Sequence, residues 1–232
     1  MSGGHMRYKA ILFDNDDTLM DFQAGNRIAV NRLMDELGYF HPDRYEQYQA
    51  VNHACWAALE RGEIAQSEVR LRRFTRLYDL YPIPGNPAEA SERFVTLLGE
   101  QSILLPHAEE VVRAIATHLP VVIVTNGMTV IQKSRLARSP LKDLISGMVI
   151  SEELGVSKPR PGIFYEALQP LGVSPKDALM IGDGANSDIR GANNAGIDAC
   201  WLNPSGAALP EGVHAEYIIQ DLRECMEIAL KG

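Results

Sequence analysis

The sequence predicts an α/β protein: a doubly wound parallel sheet with an all-helical segment inserted after the first strand. Five short apolar runs predict the strands, because each is too short for a helix and rich in β-branched or large apolar residues. They are Ala10–Phe13, Val121–Val124, Met148–Ile150, Ala178–Ile181 and Ala199–Leu202. Helical patterns separate the later runs, whereas the long segment between the first two runs contains no convincing strand.

The runs are apolar on both faces, which is typical of central strands in a parallel sheet covered on both sides. Between them, helices are predicted over Glu109–His118, Pro161–Leu171 and Asp188–Ala195. Gly196 suits the position just after the last of these helices. Alternating strands and helices favour right-handed crossovers and a doubly wound sheet.

The segment after the first strand reads as four amphipathic helices separated by glycines and a proline-rich turn. They are Ala24–Leu37, Pro42–Arg61, Ser67–Tyr78 and Pro87–Gln101. An all-helical insert at this place suggests a lid or cap. We therefore expect a catalytic core of residues 6–20 and 103–232 and a helical cap of residues 21–102, and we interpret residues 1–5 as a tag remnant.

The composition excludes several classes of protein. Of the 232 residues, 46% are hydrophobic and 22% charged, which is ordinary for a globular protein. The net charge of −8 argues against binding a nucleic-acid polymer, which needs clustered cations. No apolar stretch is long enough for a membrane helix, and no secretory leader is recognisable, so we expect no membrane partner and a cytoplasmic location. The three cysteines form no metal-binding or disulfide pattern.

Polar side chains that could take part in catalysis or binding follow the predicted strands. They lie in Asp14-Asn15-Asp16-Asp17-Thr18, Thr125-Asn126-Gly127, Ser157-Lys158, and the segment from Gly182-Asp183 to Asp188. In open parallel sheets, ligands bind outside the carboxyl ends of the strands. The sequence therefore predicts that several carboxylates, a hydroxyl and a lysine converge on one edge of the sheet.

This inventory suits phosphoryl transfer. Asp14, Asp183 and Asp188 offer the hard oxygen ligands that Mg²⁺ prefers. An aspartate can also attack phosphorus and form an aspartyl-phosphate. Lys158 adds a positive charge that bridges nucleophile and phosphate. The hydroxyl of Thr125, with the backbone N–H groups of Asn126 and Gly127, can hydrogen-bond the phosphate oxygens.

The spacing of Asp14 and Asp16 fits a pair of catalytic acids. The first would attack, while the second protonates the leaving oxygen and then deprotonates the water that opens the intermediate. Residues two apart on a strand share a face. Both carboxylates can therefore reach one substrate.

Together these residues resemble the haloacid dehalogenase (HAD) superfamily, whose core is Rossmann-like. Its four marks occur here in order: Asp14-x-Asp16-x-Thr18, Thr125, Lys158, and Gly182-Asp183 followed by Asp188. The helical insert lies where the superfamily has its type-1 cap.

The resemblance implies a role for each site residue. Asp14 would be nucleophile and metal ligand, and Asp16 general acid/base and metal ligand through its backbone carbonyl. Asp183 would bind Mg²⁺, and Asp188 would be a ligand or the partner of one. Thr125 and Lys158 would bind the phosphate, to which the backbone N–H of Asn126 is also expected to donate.

The segments Tyr45–Phe74, "TNG" and "VISEELGVSKPRPGIF" further resemble the bacterial pyrimidine 5′-nucleotidase subfamily. That likeness implies a nucleoside monophosphate as the small phosphate ester. Members of the subfamily commonly have Ala or Leu where this chain has Asn15, and often Glu at the position of Asp17. On a strand Asn15 points away from Asp14 and Asp16, so we expect it to tune the surroundings, and we expect no loss of activity from either difference.

Other residues have two interpretations. Asp17 fits a tight turn and Asp21 a helix N-cap better than a catalytic role. Phe22 and Trp56 could stack on a base and Asn52 could hydrogen-bond its edge, but aromatic residues on such helices more often pack in a core.

Two other functions remain open on the sequence alone. A phosphosugar mutase or sugar-phosphate phosphatase of the same superfamily would use the same residues. A binding module without catalysis fits less well, because such modules usually lack a nucleophile or metal ligand.

Overall fold

The computed structural model describes residues 6–231, so the tag remnant expected at residues 1–5 lies outside the described residues. A parallel sheet of six strands forms its centre, in the order β3-β2-β1-β4-β5-β6. The strands are β1 (Ala10–Phe13), β2 (Val121–Thr125), β3 (Gly147–Ile150), β4 (Ala178–Gly182), β5 (Asp198–Leu202) and β6 (Tyr217–Ile219). The strand order is that of a doubly wound sheet, so the predicted fold class is confirmed.

The first strand occupies the middle of the sheet. Phe13 of β1 pairs with Ile123 of β2 on one side and with Ile181 of β4 on the other. The chain winds outward in one direction through β2 and β3 and in the other through β4 to β6. The point where this winding reverses lies beside the carboxyl end of β1, where such sheets bind their ligands.

Ten α-helices surround the sheet or form the insert in the described part of the chain. They are α1 (Phe22–Glu36), α2 (Arg44–Glu60), α3 (Gln66–Leu80), α4 (Pro87–Gly99), α5 (Ala108–Ala116), α6 (Thr129–Ala137), α7 (Ser151–Leu154), α8 (Gly162–Leu168), α9 (Arg190–Ala195) and α10 (Glu224–Leu230). A π-helical turn, Ala185–Ile189, precedes α9.

Two apolar layers cover the sheet. Ile11 and Phe13 of β1 point into one layer with α5 and α10, and Ala10 and Leu12 point into the other with α8 and α9. All four side chains are fully buried. The continuous apolar run of β1 thus reflects burial on both faces of the sheet.

Helices α1 to α4 form a four-helix insert, residues 22–99, with a separate apolar cluster. Its centre is a triangle of aromatic rings, Tyr48, Phe74 and Phe94, with centroids 5.3 to 5.9 Å apart. Met128 and Ile131 extend this cluster, so the insert packs on the beginning of α6. Helix α6, which follows β2, therefore packs against both the insert and the apolar layer on the sheet.

The sequence pattern does not predict four of the observed elements: β6, α6, α7 and α10. Strand β6 has only three residues, and its Ile218 is exposed. Helix α6 has the polar residues Gln132 and Arg135 on its buried face, so it lacks the apolar period that indicates a helix. The helix predicted over Pro161–Leu171 ends at Leu168 in a short 3₁₀ turn.

Within residues 6–231 we find no helix with both the length and the apolar character needed to cross a bilayer.

Candidate active site

One cavity of about 360 Å³ opens at the carboxyl ends of β1 and β2, beneath the four-helix insert. Its sheet side contains five of the residues that the motifs predict: Asp14, Asp16, Thr125, Asn126 and Lys158. Asp183 and Asp188 do not line the cavity but lie next to Asp14. Its insert side contains Phe22, Asn52 and Trp56, the three candidates for substrate recognition, together with Arg73. The structure thus brings the sheet-edge candidates and the insert candidates to a single site.

Lys158 is the cation at the base of this site. Its Nζ lies 2.5 Å from Asp14 Oδ1 and 2.7 Å from Asp188 Oδ1, and it donates to the Val124 carbonyl at 2.8 Å. Burial alone would lower the pKa of Lys158, but the charges of Asp14 and Asp188 outweigh burial and raise it. The lysine is therefore a fixed positive charge beside the Asp14 carboxylate.

Asp14, Asp183 and Asp188 form an acidic cluster in which one oxygen of each lies within 4.8 Å of the others. Burial, followed by repulsion from Asp188, raises the pKa of Asp14 although Lys158 opposes the shift. Burial, Asp188 and Asp17 raise the pKa of Asp183 to about 7. The cluster thus holds more negative charge than one lysine balances, and its all-oxygen donor set fits Mg²⁺.

Thr18 orients Asp183 toward this cluster. The backbone N–H of Asp183 donates to Thr18 Oγ1 at 3.1 Å, and the Thr18 hydroxyl lies 3.2 Å from Asp183 Oδ1, to which it donates. The threonine of the first motif therefore positions the aspartate of the last one across the β1–β4 pair.

Gly182 and Gly184 make room for the Asp188 carboxylate. A Cβ at Gly182 would lie 2.6 Å from Asp188 Cβ and Cγ, which no side chain tolerates. Asp188 Oδ2 accepts the Gly184 N–H at 2.9 Å. The absence of side chains at these two positions lets Asp188 reach Lys158.

The Asp16 carboxylate is held by α6, which the sequence did not indicate as part of the site. Gln132 Nε2 donates to Asp16 Oδ2 at 2.7 Å, and the Arg135 guanidinium donates to Asp16 Oδ1. Gln132 is 1% and Arg135 0% exposed. Both donors are therefore fixed by packing, and they fix the carboxylate in turn.

Asn15 acts on Asp16 through Gln132. Its Nδ2 donates to Gln132 Oε1, so the glutamine's carbonyl is occupied and its amide nitrogen faces Asp16. An amide can present only one of its two ends in each direction, so this contact decides which way Gln132 points. Asn15 thereby gains a structural role that the sequence left unassigned.

The "TNG" segment is organised differently from the expectation. The Gly127 N–H, predicted as a phosphate donor, donates instead to Thr125 Oγ1 at 3.0 Å. Because a hydroxyl accepts and donates, Thr125 still has its own proton to give. Asn126 accepts the Lys158 N–H at 2.8 Å and donates to the Lys158 carbonyl at 3.0 Å, so its side chain clamps the backbone of the lysine.

Gly127 has a steric role as well. A Cβ there would lie 2.8 Å from Gln132 Cγ and Cδ. Glycine at this position therefore leaves the path by which Gln132 reaches Asp16.

Asp17 and Asp21 have the local roles that the sequence favours. Asp17 adopts a left-handed φ of 58° and accepts the backbone N–H groups of Phe22 and Gln23 at 3.0 and 3.3 Å. Asp21 is the N-cap of α1 and accepts the Ala24 N–H at 2.8 Å. Both carboxylates stabilise the turn into the insert.

Comparison with known proteins agrees with this geometry. The family model of haloacid dehalogenase-like hydrolases matches residues 8–196. Pyrimidine 5′-nucleotidase YjjG of Escherichia coli (strain K12) is 33% identical over 227 residues, 97% of this chain and 100% of that protein. Pyrimidine 5′-nucleotidase PynA of Streptococcus pneumoniae is 35% identical over 229 residues, 96% of each chain.

A solved structure also matches nearly the whole chain. HAD-hydrolase YfnB from Bacillus subtilis, bound to magnesium, superposes with a TM-score of 0.88 at 31% identity, covering 96% of this chain and 99% of that one. The likeness thus extends through the sheet and the insert alike. The chain belongs to the haloacid dehalogenase-like hydrolase family and is one of its phosphatases.

Proposed function

We propose that the protein is a Mg²⁺-dependent phosphomonoesterase that hydrolyses pyrimidine nucleoside 5′-monophosphates through an aspartyl-phosphate on Asp14. The observation that supports it most is the Asp14–Lys158 ion pair, at the floor of a cavity that also contains Asp16. The two nucleotidase relatives, similar over nearly their whole lengths, support the substrate class.

In the first step, a carboxylate oxygen of Asp14 attacks phosphorus, and the bond to the nucleoside 5′-oxygen breaks. Asp16 donates a proton to that oxygen as it leaves. Lys158 and the Thr125 hydroxyl bind the phosphoryl oxygens, and Asn126 holds the lysine in place. In the second step, Asp16 takes a proton from water, the water attacks phosphorus, and the bond to Asp14 breaks, so the carboxylate is regenerated.

Asp14, Asp183, Asp188 and the backbone carbonyl of Asp16 are the groups that would hold Mg²⁺. When bound, the ion supplies positive charge that offsets the repulsion between a carboxylate and a phosphate. Burial first, and then repulsion from Asp188, raise the pKa values of Asp14 and Asp183, and a bound cation would offset both effects.

The four-helix insert, within the expected cap of residues 21–102, would close over the substrate and exclude water from the first step. Phe22 and Trp56 would contact the base and sugar, and Asn52 would hydrogen-bond the base. The core of residues 6–20 and 103–232 would supply the chemistry. All three insert side chains line the same cavity as Asp14.

The second candidate is a phosphosugar mutase or a sugar-phosphate phosphatase, which would use the same sheet-edge residues. A mutase returns the phosphoryl group to a sugar hydroxyl instead of to water. The aromatic and amide side chains on the insert side favour a flat base over a polar sugar ring. A binding module without catalysis is the least suitable, because every motif carboxylate is present.

A screen of phosphate esters with Mg²⁺ tests the proposal. We expect phosphate release from dUMP, dTMP and UMP to exceed that from hexose phosphates, no isomerisation of hexose phosphates, and loss of activity with a chelator. Asp14→Asn should lower turnover about 10³-fold or more, because the nucleophile is lost.

The matched control is Asp21→Asn, which changes a neighbouring acid to a residue that caps helices equally well. It should retain activity. Wild-type turnover in Asp14→Asn would contradict the phospho-aspartate route. Isomerisation of hexose phosphates would show that the protein is a phosphosugar mutase.

A further inference from the structure

A buried arginine of the insert lines the cavity without a carboxylate partner. Arg73, on α3, is 4% exposed. Its neighbours Arg70 and Arg72 pair with Glu92 and Glu68, whereas no described carboxylate pairs with Arg73. Burying a cation without an anion costs free energy, so a partner for this arginine is expected from outside the described chain.

The contacts of Arg73 within the protein leave its hydrogen bonding incomplete. One terminal nitrogen donates to Asn52 Oδ1 at 3.2 Å. Nε and the other terminal nitrogen are fully buried and have no acceptor among the described residues, so the terminal nitrogen bonded to Asn52 is the one whose second N–H can face the cavity. The guanidinium carbon lies 4.6 Å from the Phe94 ring centroid and 5.5 Å from that of Phe74. Ring faces attract the cation but do not accept its in-plane N–H groups.

The insert side of the cavity combines the guanidinium of Arg73 and the amide of Asn52 with apolar walls, and Gln23, Gln49 and His53 also line it. Asn52 uses its carbonyl on Arg73, which leaves its amide N–H groups as donors. Phe22, Trp56 and Leu98 supply the apolar walls, and no described insert residue that lines the cavity is acidic. This surface fits a planar ring that presents a carbonyl oxygen, and it disfavours a ligand that presents an ammonium group.

We propose that Arg73, together with Asn52, binds the carbonyl edge of the substrate's pyrimidine base. The C2 carbonyl is the acceptor that uracil, thymine and cytosine share, so one donor pair can serve all three. This inference rests on the proposed nucleotidase function and names the side chains that recognise the base. A small carboxylate would also satisfy Arg73, but it would leave Phe22 and Trp56 without a ring to contact.

The test compares dUMP with 2-deoxyribose 5-phosphate, which has the same phosphate and sugar but no base. Wild-type enzyme should prefer dUMP in kcat/KM. Arg73→Met should reduce that preference about 10- to 100-fold, the effect of a hydrogen bond from a charged donor. Arg73→Lys should fall between the two, since it keeps the charge but loses the planar fork. Because the preference is a ratio within one preparation, the folded fraction of a variant cancels.

Inhibition constants give a second readout, which does not depend on turnover of the inhibitor. Uridine carries the base without a phosphate, and its inhibition constant should rise by a similar factor in Arg73→Met, while the inhibition constant of inorganic phosphate changes little. Arg72→Met, an exposed arginine on the same helix, is the matched control and should behave as the wild type.

Each other outcome overturns the inference. An equal loss on dUMP and 2-deoxyribose 5-phosphate would mean that Arg73 only supports the insert. A selective loss on 2-phosphoglycolate, a carboxylate-bearing ester, would identify a carboxylate as its ligand. If the wild-type enzyme shows no preference for dUMP over 2-deoxyribose 5-phosphate, the nucleotidase function itself fails, and this is visible before any variant is made.

Discussion

Two aspartates separated by one residue have different cationic partners in this protein. Asp14 lies beside Lys158, which comes from the loop after α7, and Asp16 lies beside Arg135, which comes from α6. The first arrangement leaves a carboxylate with a positive charge next to the expected phosphate position. In the second arrangement, Arg135 and Gln132 donate to the two carboxylate oxygens of Asp16. The two carboxylates therefore have different surroundings, although only one residue separates them in the chain.

The motif residues were predictable from sequence because each directly follows an apolar strand. Gln132, Arg135 and Arg73 were not, because each lies within a helix and has no motif of its own. Gln132 and Arg135 would be expected on a solvated face, since buried polar residues are rare without partners. Their partner is Asp16, which lies 116 residues from Gln132 in the chain and is not visible from the local pattern.

Gln132→Ala tests the hold on Asp16. We expect kcat for dUMP to fall about 10- to 100-fold, less than the roughly 10²- to 10⁴-fold that a general acid contributes, because Arg135 still holds Asp16. The change in KM should be smaller. The loss should be smaller for p-nitrophenyl phosphate, whose leaving group departs without a proton. Steady-state kinetics on both substrates measure this difference.

The matched control is Lys133→Ala, on the exposed side of the same helix, where the ion pair with Glu153 lies at the surface. It should leave both rates unchanged. A Gln132→Ala variant with unchanged kcat and a raised KM would show that Gln132 serves binding and not proton transfer.

At the scale of elements, the accuracy of prediction follows the burial pattern. Strands β1 to β5 lie within one residue of their predicted bounds, because the strands of a covered parallel sheet are continuous apolar runs. Helix α6 was missed because its buried face is polar on the side of Asp16. The π-helical turn before α9 occurs where Asp188 must bend back toward Lys158, a tertiary demand with no local signal.

The aromatic triangle is the element-scale support of the insert. Phe94→Ala should lower the free energy of unfolding by about 3–5 kcal/mol, because a fully buried ring leaves a cavity that its neighbours only partly fill. Urea titration measures it, with Phe40→Ala as the control, since Phe40 is 69% exposed. A loss below about 1 kcal/mol would mean that the cluster repacks.

At the scale of the whole molecule, the acidic cluster connects stability to pH and metal. The pKa of Asp183 is raised from 3.8 to about 7, so the folded protein binds that proton more tightly than the unfolded chain does. The resulting stabilisation is complete below about pH 4 and is lost as the pH rises through 7. Above pH 7 the ionised cluster favours a cation.

Thermal unfolding should show this dependence. Saturating Mg²⁺ should raise Tm more at pH 8 than at pH 5, because protons compete with the ion at the lower pH. Asp183→Asn should lose most of this response and become less sensitive to pH between 5 and 8. If Mg²⁺ raised Tm equally at both pH values, the ion would not bind at these carboxylates.

The central position of β1 has a consequence for the order in which the chain can fold during synthesis. Its neighbours β2 and β4 are made much later, and Lys158 follows Asp14 by 144 residues. At about 5–20 residues per second, that interval lasts about 7 to 30 s. The contacts of α1 to α4 are local by comparison, so the insert can assemble on the ribosome before the strand that ends at Asp14 has a hydrogen-bonded neighbour.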